Sequence, residues 1–233
     1  MAVIATSQQS CNGEIVDDEI EFDELAKNVS ELEHKLGLPK GFFDQLLKED
    51  DWSFIVKTHS LLDAALTLSI SKAMGNEALD DFISSLPLND SRRGKIALAK
   101  ALKLIEPITV SLFRQISELR NKLVHNVLQT NFDFSAHLPT LKPDEFQLFC
   151  DVFGQTYGDT VVSNDGNTYA LNDYIQTHPK VAVWRTCLMQ LAMFTMLIES
   201  QELKKDHESL QAIHYKQMTE FYERWKIPSN FPA

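Results

Sequence analysis

Apolar residues recur at helical spacing along most of the chain. Between residues 18 and 36 they follow one another every three to five positions, and the breaker Gly37-Leu38-Pro39 then interrupts the pattern. Residues 40–49 carry a second, shorter helical pattern around Phe42 and Phe43. We therefore expect two N-terminal helices within residues 18–49.

The strongest apolar pattern lies within residues 50–128. From Trp52 to Met74 apolar side chains face nearly every direction, which is typical of a helix at the centre of a bundle. Gly75 suits the end of this helix, and shorter helices are expected over 77–86 and 92–105. Pro107 suits the first turn of a further helix that would continue to about residue 128. These helices would form the core of the bundle.

Residues 129–179 have a more polar pattern, which predicts an insertion. Residues 129–142 lack periodicity, and Pro143 with two following acids begins a short helix. The apolar triplets 160–162 and 168–170 flank Asn164-Asp165-Gly166-Asn167, a turn sequence typical of a β-hairpin. The same four residues resemble part of a calcium loop, but the other ligands are missing, so a turn is favoured.

The segment 180–233 should return to the core. Pro179 begins a helix expected to reach about Leu203, with a separate amphipathic helix over 206–225. Its apolar run 181–198 approaches the minimum length of a membrane span, but Arg185 and Gln190 interrupt it. We interpret it as a buried core helix and expect no membrane insertion. The predicted fold class is all-α, a helical bundle with a small β-hairpin insertion and extra terminal helices.

Charge is concentrated near the N-terminus. The formal net charge is −11, and seven acidic residues fall within 14–24 before the first basic residue, Lys27. Residues 1–17 also lack periodicity, so we expect a disordered acidic lead. Because proteins that hold duplex nucleic acid usually present a basic surface, this balance argues against bulk nucleic-acid affinity. A local site that acts on RNA remains compatible with it.

The three cysteines, Cys11, Cys150 and Cys187, are far apart and form no CxxC pair. Neither a zinc knuckle nor a disulfide framework is indicated, and free thiols fit a cytoplasmic protein. The histidines 137, 178, 207 and 214 lack metal-ligand spacing, so no metal site is expected. No glycine-rich phosphate loop is present, and we expect no cofactor. The stripe of Met189, Met193 and Met196 indicates core or dimer packing.

The segment Arg120-Asn121-Lys122-Leu123-Val124-His125 combines an arginine, a polar neighbour and a histidine on an apolar helix. In this it resembles the HEPN superfamily, and the resemblance covers residues 50–128 with the helix at 180–203. It implies a helical bundle that pairs into a homodimer. In active members such a motif forms a metal-independent endoribonuclease site across the dimer interface. Many members are toxins of toxin–antitoxin pairs or phage-defence proteins, and others are non-catalytic binding modules.

The residue types suit that chemistry. Cleavage of RNA without metal requires removal of the ribose 2′-OH proton, stabilisation of charge on phosphorus and protonation of the leaving 5′-oxygen. His125 can exchange protons near neutral pH, and the planar fork of Arg120 matches phosphate oxygens. Asn121 could orient the phosphate or the ring. Because one histidine cannot easily be base and acid together, two copies of His125 in a dimer would divide the roles.

The helical geometry limits this hypothesis. Five residues of a regular helix turn through about 500°, so Arg120 and His125 point about 140° apart. They share a site only if the helix is distorted, if the arginine reaches round, or if two subunits contribute. Asp63, on an otherwise apolar helix, could hold Arg120 in position, because a carboxylate there is costly without a partner. His59 lies one turn before it.

Simpler interpretations remain open. Arg120 could form a buried bridge with Asp63 while His125 ends a helix, and His59 could be an ordinary polar residue. The basic cluster Arg92-Arg93 with Lys95 is expected to be a solvated helix start, or else an anion contact. The competing function is a non-catalytic dimeric module that binds a protein partner, such as an antitoxin or regulator, or a nucleotide. A helical transcription regulator is weaker, since no helix-turn-helix signature is found.

Overall fold

The computed structural model describes residues 18–125, 130–162 and 167–225. The predicted lead at 1–17 and the tip of the hairpin lie outside these residues. The helix expected over 107–128 ends earlier, at Val124, with His125 as its C-cap. Helices dominate the described chain, with one antiparallel two-stranded sheet. The helices and strands are α1 Asp18–Lys35, α2 Phe42–Leu46, α3 Asp51–Met74, α4 Asp80–Ser85, α5 Lys95–Ala101, α6 Pro107–Val124, α7 Phe134–His137, α8 Pro143–Phe153, β1 Thr160–Val162, β2 Thr168–Ala170, α9 Leu171–Thr177 and α10 Pro179–Trp225.

Local signals explain the boundaries of the central helix. The Asp50 side chain caps α3 by accepting a hydrogen bond from the Ser53 amide at 2.9 Å. At the other end Gly75 adopts a left-handed φ of 64°, which a residue without a Cβ atom does at little cost. Pro107 is the first residue of α6, as expected from its missing N–H. The predicted all-α character and these boundaries are therefore confirmed.

Helices α1, α3 and α10 run in the same direction, side by side. Lys180 at the start of α10 pairs with Asp51 at 3.1 Å, and Lys72 near the end of α3 pairs with Glu202 at 3.1 Å. Lys35 at the end of α1 also pairs with Glu202, at 2.8 Å. Helix α6 is antiparallel to α3, since the indole N–H of Trp52, at the start of α3, points to the carbonyl of Leu123, at the end of α6, at 3.5 Å. The start of α3 therefore lies beside the end of α6.

One hydrophobic core joins helices from both ends of the chain. Val29 and Leu32 of α1 belong to it together with α3, α6 and the first half of α10. The segment 129–179 is not a peripheral insertion, because it also contributes core side chains. Those side chains are Phe134, Leu138, Phe149, Cys150, Val152, Phe153 and Ile175.

The hairpin is present with the expected strands, and Val161 pairs with Tyr169. Two expectations for the local structure are wrong, those for 92–105 and 129–142, and one further helix lies where no element was predicted. The predicted 92–105 helix is shorter, because the Asp90 carboxylate accepts from the amides of Arg92 and Arg93 and holds them in a turn. Residues 134–137 and 171–177 form helices that were not anticipated.

The break expected near residues 204–205 is also absent, so α10 is a single helix of 47 residues. No glycine or proline lies at the expected break, and a change of exposure alone does not end a helix. Helix α10 is long and apolar enough to cross a membrane by length and composition. In this structure 67% of its most apolar stretch is buried inside the protein, so it packs as a core helix.

Candidate functional site

The Arg120–His125 segment lies at the C-terminal end of α6. Arg120 is half-buried, whereas Asn121 and His125 are exposed. One guanidinium nitrogen of Arg120, Nη1, donates a hydrogen bond to the Asn121 side-chain oxygen at 3.0 Å. His125 follows the last helical residue, and its amide donates to the Asn121 carbonyl at 3.2 Å. The structure thus brings Arg120 and Asn121 together at an open surface.

The helix is regular as far as Val124, and His125 is its C-terminal cap. His125 keeps right-handed helical angles, with φ −85° and ψ −1°. A distortion that would turn Arg120 and His125 to one face is therefore absent, and the two side chains leave α6 about 140° apart. His125 does not line the cleft that receives Arg120. The expectation that a second subunit completes the site stays a prediction.

Arg120 lines a surface cleft of about 530 Å³ between α3, α5 and α6. His59 and Asp63 reach this cleft from α3, and Lys95 reaches it from α5. Asp80 lies at its edge and accepts a short hydrogen bond from Ser71, whose hydroxyl also faces the cleft; the remaining lining is small polar and apolar side chains. Two cations, two carboxylates and one imidazole therefore share one cavity.

Asp63 pairs with Lys95 at 2.9 Å, and not with Arg120 as the sequence suggested. The Lys95 side chain is only 5% exposed, whereas that of Asp63 is 33% exposed. A desolvated ammonium needs a compensating charge, so this pair holds the start of α5 against α3. Gly94 lets the chain pack closely just before α5, because a Cβ atom at this position would approach the Asp90 carbonyl oxygen to 2.5 Å.

This pairing leaves the charge of Arg120 available. Within the described residues no carboxylate oxygen lies within 4.0 Å of its guanidinium. Its hydrogen bond to Asn121 uses one donor of the five that a guanidinium offers. The interpretation in which Asp63 neutralises Arg120 in a buried bridge is therefore wrong, and Arg120 retains donors that can meet an anion.

His59 lies close enough to Arg120 for the positive charge of the guanidinium to change its pKa. Burial lowers the pKa of His59 below its ordinary value, and the positive charge of Arg120 lowers it further. Asp63 opposes this effect on the pKa, while Lys95 adds to it. The lowered pKa favours the neutral imidazole, in which one ring nitrogen can accept a hydrogen bond.

In the parts of the chain that the structure describes, no group of three or more histidine, cysteine or acidic side chains could hold a metal ion. The acidic turn sequence 164–166 lies outside those parts.

The sequence did not indicate the positions of two residues that line this cleft, Lys95 and His59. Lys95 was expected to be a solvated helix start or an anion contact, and it is instead buried and paired. Its partner is 32 residues away, and no local pattern signals such a contact. His59 was interpreted as an ordinary polar residue, yet it faces the same cleft as Arg120. Its position one turn before Asp63 was the available signal.

Comparison of the chain with family models, curated proteins and solved structures gives no match. The functional argument therefore rests on the residues and on the geometry of this cleft.

Proposed function

We propose that this chain is a HEPN-like protein that acts as a metal-independent endoribonuclease. His125 would move protons, Arg120 would stabilise the charged phosphate, and Asn121 would orient Arg120 through their hydrogen bond. Asp63 would support the site indirectly, by holding Lys95 and thereby α5. The observation that carries the proposal is the unpaired guanidinium of Arg120, held by Asn121 at an open surface.

The chemistry needs two copies of the chain. One His125 takes the 2′-OH proton as the 2′-oxygen attacks phosphorus. The second His125, from the other subunit of a homodimer, protonates the departing 5′-oxygen, which leaves a 2′,3′-cyclic phosphate. Since Arg120 and His125 leave α6 on different faces, one chain alone would not complete the site, and residues of both subunits would have to contribute to it. A cytoplasmic role in stress response, toxin–antitoxin control or phage defence would suit such an activity.

The test is cleavage of single-stranded RNA in the presence of EDTA. Wild-type protein should cut, and His125→Ala and Arg120→Ala should each reduce the rate by at least about a hundredfold, the usual size of an acid–base contribution. His34→Ala, which removes an exposed histidine on α1, is the matched control and should retain full activity. Equal cleavage by wild type and His125→Ala would remove His125 from the mechanism.

The alternative is a non-catalytic HEPN-like module that binds a protein antitoxin or regulator. The net charge of −11 favours it, because RNA is itself an anion and a basic groove would raise affinity. A dimeric wild-type protein that leaves RNA intact over a wide range of salt and pH would support this alternative.

A further inference from the structure

The second half of α10 projects from the body of the protein. Side chains from Leu203 to Gln217 are exposed, and the hydrogen bonds seen among residues 204–220 are all within the helix. Large apolar side chains are nevertheless present, with Leu203 69% and Leu210 64% exposed. At 1.5 Å per residue the 47-residue helix is about 70 Å long, so this apolar surface extends well beyond the core.

Four apolar residues of α10, three of them exposed and Met189 half-buried, follow a seven-residue repeat. Met189, Met196, Leu203 and Leu210 are spaced by seven and therefore lie on one face of α10. Met193 lies beside them, and both Met193 and Met196 are 48% exposed. In the turns around Met193 and Met196 the opposite face of α10 is buried in the core. We call Met189, Met193, Met196, Leu203 and Leu210 the α10 stripe, which runs unbroken from the body onto the projecting half.

This spacing is that of a coiled-coil seam. With Met189, Met196, Leu203 and Leu210 at the d positions, the a positions are Met193, Ser200, His207 and His214. Apolar d positions supply packing, while polar a positions reduce stability and restrict the partners and registers that fit. The stripe therefore favours a partner helix with the same pattern.

We infer that the α10 stripe is an interface with α10 of a second copy of this chain, parallel and in register. The flanking charges select this arrangement. In a parallel pair Glu199 at a g position meets Lys204 at an e position of the other copy. In an antiparallel pair the g positions of the two copies would face each other. Glu199, Asp206 and Glu220 all occupy g positions, so their negative charges would repel those of the other copy.

The charges also argue against a lipid surface as the occupant. Helices that lie on membranes are rich in lysine and arginine on the polar face. Residues 199–220 contain five acidic and three basic side chains, so an anionic membrane would be repelled. The inference uses no residue of the Arg120 cleft. A homodimer is common to it and to the proposed nuclease, so the lysine substitutions and the orientation of the pair are what test the α10 stripe by itself.

The first experiment measures mass in solution by sedimentation equilibrium. Wild type should be a dimer, and Leu203→Lys/Leu210→Lys should be a monomer with an unchanged melting temperature. Tyr215→Lys is the matched control, since Tyr215 is also 69% exposed but lies off the stripe, and it should remain dimeric. His207→Leu should tighten association by about tenfold or more, because it adds an apolar side chain to the seam.

The second experiment tests orientation by disulfide trapping. Ser200→Cys and Gln217→Cys, each in a Cys11→Ser background, should both give covalent dimers, because a parallel in-register pair brings every position beside itself. An antiparallel pair could trap at most one of them, since they are about 25 Å apart along the helix. A monomeric wild type, a dimer insensitive to the two lysine substitutions, or trapping at only one position would overturn the inference.

Discussion

The Asp63–Lys95 pair offers a sharp test of how the cleft is held together. Asp63→Asn keeps the shape of the side chain and removes its charge, so the 5% exposed ammonium of Lys95 loses its counter-charge. Breaking a fully buried pair costs about 3–5 kcal/mol. Because Asp63 is 33% exposed, water screens part of the interaction, and we expect about 2 kcal/mol.

The assay is urea or thermal unfolding of the variants. A loss of about 2 kcal/mol should lower the melting temperature by about 4–8 °C in a protein of this size. Glu49→Gln is the control, because the Lys57–Glu49 pair is more open, with side chains 46% and 28% exposed. It should cost less than about 1 kcal/mol.

Lys95→Met completes a double-mutant cycle. Combined with Asp63→Asn, it should destabilise less than the sum of the two single changes, since the uncompensated ammonium is then gone. If Asp63→Asn and Glu49→Gln have equal effects, or if the two changes at the pair are additive, the pair does not stabilise the cleft. Asp63 would then be free for a role in the site itself, so activity of Asp63→Asn should be compared per folded molecule.

Two further predictions follow from the pKa shifts. Because the pKa of His59 is lowered in the folded protein, the unfolded chain binds a proton more readily below about pH 6.5, and stability should fall as the pH drops through that range. NMR titration should show this lowered pKa, and Arg120→Met should raise it; an unchanged midpoint would contradict the coupling. Burial raises the pKa of Cys150 to about 11 and raises that of Cys187 further. In a Cys11→Ser background neither thiol should therefore react with iodoacetamide at pH 8 until the protein unfolds. Rapid labelling of the native protein would disprove their burial.

The amino-acid sequence by itself determined the helical class and the boundaries of α1 and α3. Apolar spacing placed α1 and α3, Gly75 ended the central helix, and Pro107 began α6. These signals are local, because a cap, a breaker or a repeat acts within a few residues along the chain. The hairpin strands followed for the same reason, from a turn sequence between two short segments that contain threonine, valine and tyrosine, residues common in strands.

Tertiary structure decided which polar groups meet. The sequence placed Arg120 beside Asn121, but it suggested Arg120 as the partner of Asp63. The structure pairs Asp63 with Lys95 of α5, and no local sequence pattern predicts a contact between residues so far apart. The apolar pattern also predicted two helices where α10 is one. The pattern changes where α10 leaves the core, because exposure changes there, but the backbone hydrogen bonding of the helix continues. Helix periodicity thus determined which faces could be buried, and only packing of the whole chain determined that Arg120 keeps its charge free and that the α10 stripe remains exposed.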